Sequence, residues 1–220
     1  MSFENIKILG TSHISSSSIR SIRKAFESHT DLVCVELDPS RFAALVKKDK
    51  RISLKNVKSF GVRGFIIGVI GHLVQQKLGK IVGIEPGADM LTAIQLSAKH
   101  KLKVYFIDRD IRITLRKITQ IPFKEKFRFF MDIILSPFSK KKVKIDISRV
   151  PSNKLIDKVM DLLKTRFPSL YNILVQERNQ IMANRILTIA KKHPDSKMLV
   201  VVGAGHVDGI NKILESKSEH

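Results

Sequence analysis

Two histidines occupy the same local setting at opposite ends of this chain of 220 residues. His13 follows an apolar run in "IKILGTSHIS", and His206 follows another in "LVVVGAGHVDGI". Each forms Gly-x-x-His at the end of a strand-like segment. Glu36 and Asp38 close the run "DLVCVELD", and Asp108 and Arg109 close "KVYFIDR". Parallel α/β sheets build ligand sites at the carboxyl ends of their strands, where the loops converge. Four strand ends that each deliver an ionisable group to one edge therefore point to chemistry there. Two imidazoles and a carboxylate suit a divalent metal such as Zn, Mn or Co. The same groups also suit metal-free general acid–base catalysis, and both readings stand at this point. Gly10 and Gly203 are expected to adopt conformations closed to other residues, turning the chain sharply off each strand. His29, His72, His100, His193 and His220 lack this setting and read as helix-end or surface residues.

The elements that must position these groups follow from hydrophobic periodicity. Strands are expected at 5–9, 31–37, 103–108 and 198–203. Between the first two, "HISSSSIRSIRKAFESH" offers serine N-caps and Ile19, Ile22 and Phe26 at helical spacing, so residues 5–37 read as a βαβ unit with parallel strands. Helix is expected over much of 40–82 and over 88–100, and a helical, basic insertion over about 111–192. The piece at 136–152 reads as a loop. The fold class is α/β: one domain over 1–220, with a central, mainly parallel sheet flanked by helices.

Three features inside the insertion carry charge or apolar surface in unusual places. In "FKEKFRFFMDIILSPF", Phe123, Phe127, Phe130 and Ile134 form one apolar stripe, which more often covers a core or a partner than a membrane surface. In "PSLYNILVQERNQIMANRIL", Glu177 and Arg178 interrupt a helix that is otherwise apolar on nearly all sides. Charges there need partners: either a structural Glu–Arg lock, or an Arg178 aimed at the cleft as an anion binder. In "IDRDIRITLRK", Arg112, Arg116 and Lys117 read as a solvated face.

The balance of 40 Lys and Arg against 20 Asp and Glu favours polyanionic partners or, more plainly, a solvated basic surface. Nucleic acid is not the expected partner, since no nucleic-acid motif accompanies the charge and there are two Tyr and no Trp for stacking. The single Cys34 excludes an internal disulfide and a cysteine zinc finger, and fits a reducing compartment. No run is long enough to span a bilayer and no signal peptide is evident, so a cytoplasmic protein, free or membrane-peripheral, is expected. "GAGHVDG" has the wrong glycine spacing for a dinucleotide turn, and Walker, His-Glu-x-x-His and Gly-x-Ser-x-Gly motifs are missing.

Taken in order, "LGTSHIS", "VELDPSR", "GIEPGADM", "IDRDIRITLR", "QERNQIM" and "VVGAGHVDGI" resemble the motifs of the TraB family over residues 5–212. That family includes the pheromone-shutdown proteins and is related to the Tiki metalloproteases. The resemblance implies an EreA/ChaN-like fold and a metal-dependent peptidase site. It places His13 and His206 on the paired histidines and Glu36 on the strand-two glutamate. Arg41, Asp108, Arg109, Glu177 and Arg178 also fall on its motif positions. Asp89 stands where the family pattern has Glu, with Glu85 as an alternative acid four residues earlier. Many relatives continue into hydrophobic segments, so this chain is expected to be a soluble or a shortened member.

The function expected from these residues is metal-assisted hydrolysis of a peptide or protein substrate. His13, His206 and Glu36 would hold the ion or activate water, with Glu85 and Asp89 as further acids. Arg178 or Arg41 would stabilise an oxyanion or grip a carboxylate, and Asp108 would orient one of these groups. The alternative is a non-catalytic protein that uses the same cleft and a basic surface to bind an anionic ligand, a peptide or an anionic membrane.

Overall fold

The computed structural model describes residues 4–11, 16–46, 87–135 and 152–218. His13 and Glu85, and the stretches expected as helix beyond residue 46 and as loop over 136–151, lie outside the described residues.

Four parallel strands form one sheet in the order β1-β4-β2-β3. They are β1 (Ile6–Thr11), β2 (Leu32–Val35), β3 (Lys103–Phe106) and β4 (Met198–Gly203). All six residues of β4 are buried. That is why "MLVVVG" reads as one unbroken apolar run: a central parallel strand is covered on both faces. The expected βαβ unit has its parallel strands, but β4 lies between them, pairing with β1 from Ile6↔Met198 to Thr11↔Gly203 and with β2 from Leu32↔Met198 to Val35↔Val201.

Helices cover both faces. Among the described residues they are α1 (Ser16–Ala25), α2 (Pro39–Val46), α3 (Ala88–Lys99), α4 (Ile111–Thr119), α5 (Phe123–Leu135), α6 (Ser152–Arg166), α7 (Pro168–Tyr171), α8 (Glu177–Lys192) and α9 (Ala204–Ser218). A π turn, Asn172–Gln176, joins α7 to α8, so the helix expected through "PSLYNILVQERNQIMANRIL" is interrupted by a wider turn.

Strand alternation sorts the core into two clusters. Val33, Val35, Leu199 and Val201 pack against Ile22 and Ala25 of α1 and Met90 and Ala93 of α3. Leu32, Cys34, Met198, Val200 and Val202 pack against Met182, Ala183 and Ile186 of α8 and Ile210 and Leu214 of α9. Continued past the strand ends, the same parity assigns Glu36 to the α8/α9 side and Thr11 to the α1/α3 side. The helices that follow β1 and β4 thus leave for opposite faces, and such a divergence opens a crevice at the carboxyl edge.

Two expectations are corrected here. Gly10 and Gly203 are ordinary strand residues, and among the described residues the one glycine in the left-handed region is Gly87, with φ of 87° before α3. Gly10 is needed for close packing instead: a Cβ there would sit 2.7 Å from Val207 of α9 and 3.2 Å from the Ala204 Cα. The Phe123–Phe127 part of the α5 stripe also does not enter the core of this chain, since Phe123 is 80% and Phe127 54% exposed. Glu125, Phe129 and Asp132, on another side of the helix, are among the residues that hold it to the rest of the chain.

Candidate functional site

Glu36 leaves the end of β2 and is only 4% exposed. Its Oε2 accepts a hydrogen bond of 2.6 Å from the backbone N–H of Gly203, the last residue of β4. Its Oε1 accepts from Nη2 of Arg178 and lies 3.4 Å from Nε2 of His206. His206 is carried in the first turn of α9, three residues past β4, and is buried. Its Nδ1 meets Oδ1 of Asn179 at 2.6 Å. An amide oxygen only accepts, so Nδ1 carries the proton and Nε2 turns toward Glu36.

Arg178 ties this pair to a second carboxylate. Nε donates to Asp108 Oδ1 at 3.0 Å and Nη2 to Asp108 Oδ2 at 2.8 Å, a two-pronged grip. Nη1 donates to the Leu174 carbonyl at 3.1 Å. Burial works to lower the pKa of Arg178, but the charge of Glu36 and the hydrogen bonds and charge of Asp108 outweigh it and hold the guanidinium above its ordinary value. Asp108 also accepts from the Arg109 N–H at 2.8 Å and from Nη1 of Arg41 at 3.0 Å. Its own carbonyl accepts from Arg185. Arg41 sits in the first turn of α2, where Asp38 caps the helix through the N–H groups of Ser40 and Arg41. Its side chain is 35% exposed, and among the described residues Asp108 is the one acceptor that its guanidinium meets.

On the α1/α3 side, Asp89 lies buried in the first turn of α3. Its Oδ1 accepts from the Met90 N–H, and its Oδ2 accepts from the Thr11 hydroxyl at 2.5 Å. A carboxylate is favoured there by the positive end of the helix dipole. Asp89 therefore stands beside Thr11 at the end of β1, on the sheet edge that also carries Glu36.

Arg109 and Glu177 are not brought into this group. Arg109, 4% exposed, points away to the Thr114 hydroxyl at 2.8 Å, to Glu177 Oε2 at 2.5 Å and to the Ile173 carbonyl at 2.6 Å. Glu177 also takes Lys117 at 2.8 Å, so Lys117, expected on a solvated face, is an ion-pair partner instead. Burial acts to raise the Glu177 pKa, but hydrogen bonds from Lys117 and Arg109 bring it below the ordinary value. The expected Glu–Arg lock is thus two locks: adjacent residues of a helix diverge by about 100° and reach different partners.

The sequence reading missed Asn179, Thr11 and Arg185. Asn179 carried a signal, because it lies on the buried stripe of α8 with Met182, Ala183 and Ile186, where an unpaired amide would be costly. Gly209 keeps space for it: a Cβ there would stand 2.0 Å from its Nδ2. The last glycine of "GAGHVDG" therefore serves the residue that orients His206.

A TraB/PrgY/gumN family model matches residues 3–220. The chain belongs to that family. An uncharacterised protein of Methanocaldococcus jannaschii is 36% identical over 215 residues, covering 96% of this chain and 53% of that protein. TraB domain-containing proteins of Mus musculus and Homo sapiens are 27% and 26% identical over 237 residues, covering 94% of this chain and 62% of each of them. The chain thus spans between half and two thirds of the length of these relatives. The edge of its sheet combines a buried acid, an oriented imidazole and an arginine, Arg41, whose guanidinium meets one acceptor among the described residues.

Proposed function

We propose that this TraB-family chain is a divalent-metal-dependent hydrolase acting on peptide bonds, with its site at the carboxyl edge of the sheet. The observation that carries the reading is the His206–Glu36 pair. Nδ1 of His206 is committed to Asn179, the arrangement that frees Nε2 for a metal. The 3.4 Å from that Nε2 to Glu36 Oε1 equals the separation of about 3.4 Å between two ligands of one tetrahedral ion with bonds of about 2.0–2.2 Å. His206 and Glu36 would hold the ion together with His13, whose position is outside the described residues, and Asp89 is a further acid on the same edge. Among the described residues alone, no group of three ligating side chains is assembled. Bound there, Mn, Co or Zn would supply Lewis acidity that activates water at neutral pH and polarises a carbonyl.

The chain's own residues divide the remaining work. Arg178 has every guanidinium nitrogen engaged and serves to hold Glu36 and Asp108 in place. Arg41, partly exposed and anchored by Asp108, has donors left for a substrate carboxylate or a developing oxyanion. Asp108 orients both arginines.

One observation favours a second reading, a binding protein without catalysis. The oxygens of Glu36 and Asp108 already accept from arginines and backbone N–H groups, the pattern of a closed buried network. Metal analysis and peptide-library cleavage on untagged protein separate the two. Hydrolysis predicts about one Mn, Co or Zn per chain after loading, lost in His13→Ala and in His206→Ala with the circular dichroism unchanged. It also predicts cleavage that Glu36→Gln abolishes. A loaded wild type without stoichiometric metal, or cleavage indifferent to Glu36→Gln, would send the interpretation to the binder.

A further inference from the structure

Helix α5 is held to the rest of the chain from one side. Glu125 accepts from the N–H groups of Ser169 and Leu170 at 3.3 and 3.0 Å, Phe129 meets Phe167 edge-on with ring centroids 5.3 Å apart, and Asp132 pairs with Arg166 at 2.9 Å. At 100° per residue, Phe123 and Phe127 share a different side, with Lys124 and Lys126 flanking them. The two rings stack on each other at 6.2 Å and 25°, 80% and 54% exposed, and make one apolar wedge. Residues 111–131 contain six basic side chains and one acid, Glu125, which is turned inward to α7; Arg112 pairs with Asp110 and Lys117 with Glu177, Lys126 and Arg128 keep their charge while donating to the Thr119 and Arg166 carbonyls, and Arg116 and Lys124 complete the set. Among the described residues Lys124 and Arg116 form no ion pair.

We propose that α5 docks on an anionic phospholipid surface, with Phe123 and Phe127 inserted among the headgroups and the flanking cations on the lipid phosphates. The composition is that of an interfacial helix, with aromatic side chains along one stripe and lysines beside it. No helix among the described residues is long and apolar enough to cross a membrane, so this contact lies in the interface plane. A second copy of the chain fits the wedge less well. The two rings present roughly 200–300 Å² of apolar surface, well below the about 800 Å² per partner of a stable interface. A symmetric pair would also set like-charged rims against each other. Single-stranded nucleic acid is less suited because the rings cover each other and do not stand apart as platforms for bases.

The test is vesicle flotation with phosphatidylcholine alone and with added phosphatidylglycerol, comparing wild type with Phe123→Ser/Phe127→Ser. Both positions are exposed, so the variant keeps the wild-type melting temperature. Binding is expected to the anionic vesicles only and to fall at least tenfold in the variant. The chain has no Trp, so Phe123→Trp is a single reporter, and its emission should shift to the blue with anionic vesicles. Equal binding by wild type and double variant overturns the proposal. So does a dimer, or binding to oligo-dT, that the double variant abolishes while vesicles bind neither form.

Discussion

Replacing Arg178 by Met keeps the approximate volume and removes the cation that bridges Glu36 and Asp108. In the wild type this guanidinium is held above its ordinary pKa despite burial, so it is charged at every usable pH. Without it, two carboxylates that are 4% and 3% exposed lose their shared counter-charge. Removing one member of a buried ion pair costs about 3–5 kcal/mol. The low end applies here, because Asp108 keeps Arg41 and the Arg109 N–H, and Glu36 keeps the Gly203 N–H. A loss of about 3 kcal/mol, at about 2–4 °C per kcal/mol for a chain of this size, lowers the melting temperature by about 6–12 °C. The sign with pH is distinctive. A buried carboxylate without its cation has a folded pKa above its unfolded value of about 4.3, so the folded variant binds more protons than the unfolded one. Its stability therefore recovers as pH falls from 7 toward 5. Urea denaturation at pH 7, 6 and 5 measures both effects. A deficit below about 1 kcal/mol, or one that stays constant across that range, would refute the bridging role.

Glu177 gives the opposite slope: its folded pKa lies below the ordinary 4.5, so its contribution is complete above about that pH and is lost as pH falls through the folded value. Urea midpoints should fall more steeply between pH 4.5 and 3 in wild type than in Glu177→Gln, and equal slopes would contradict the ion pairs. The Cys34 thiol is pushed up to about 12 by burial, so a disulfide reagent at pH 8 should label it only through unfolding, and fast labelling of folded protein would count against its place in the core. Gly209→Ala, which in an open helix would stabilise by about 1 kcal/mol, should destabilise by about 1–3 kcal/mol because the new methyl collides with Asn179. The same shift should weaken metal binding about tenfold or more through His206, checked by titration with Zn or Co.

Much of the fold was legible because its strands are short apolar runs ending in ionisable residues. "LVVVG" and "LVCVEL" can only be strands covered on both faces, and the carboxyl-edge rule then gathers Glu36, Asp108 and His206 at one edge. The sheet order was not legible, since an apolar pattern on both faces of β4 is equally satisfied at several places among parallel strands. Gly10 and Gly203 were misjudged as turn glycines, and Gly209 was passed over, for a related reason. Gly10 and Gly209 answer to neighbours distant in sequence, Val207 and Asn179, and nothing in their local sequence separates a packing glycine from a turn glycine. The α5 stripe has the period of a core-facing helix, but period alone does not say which side the chain packs against. There, Glu125 and Phe129 decide it.

The interruption of the long helix is explained by the two arginines that the sequence set among candidate catalytic residues. In the π turn the Glu177 N–H bonds back to the Asn172 carbonyl, five residues earlier, so α-helical pairing is lost for carbonyls within it. Arg109 takes the Ile173 carbonyl and Arg178 takes the Leu174 carbonyl. Each then extends to a carboxylate, Arg109 to Glu177 and Arg178 to Asp108 and Glu36. Guanidinium groups thereby add hydrogen bonds to two carbonyls of the wider turn, and the turn in turn fixes where the Arg178 side chain starts. Arg109 lies away from the sheet edge, yet it supports the geometry there by holding one side of the turn from which Arg178 reaches Glu36. A lysine cannot fill either place, because no single ammonium spans a carbonyl and a carboxylate with the planar fork that both arginines use.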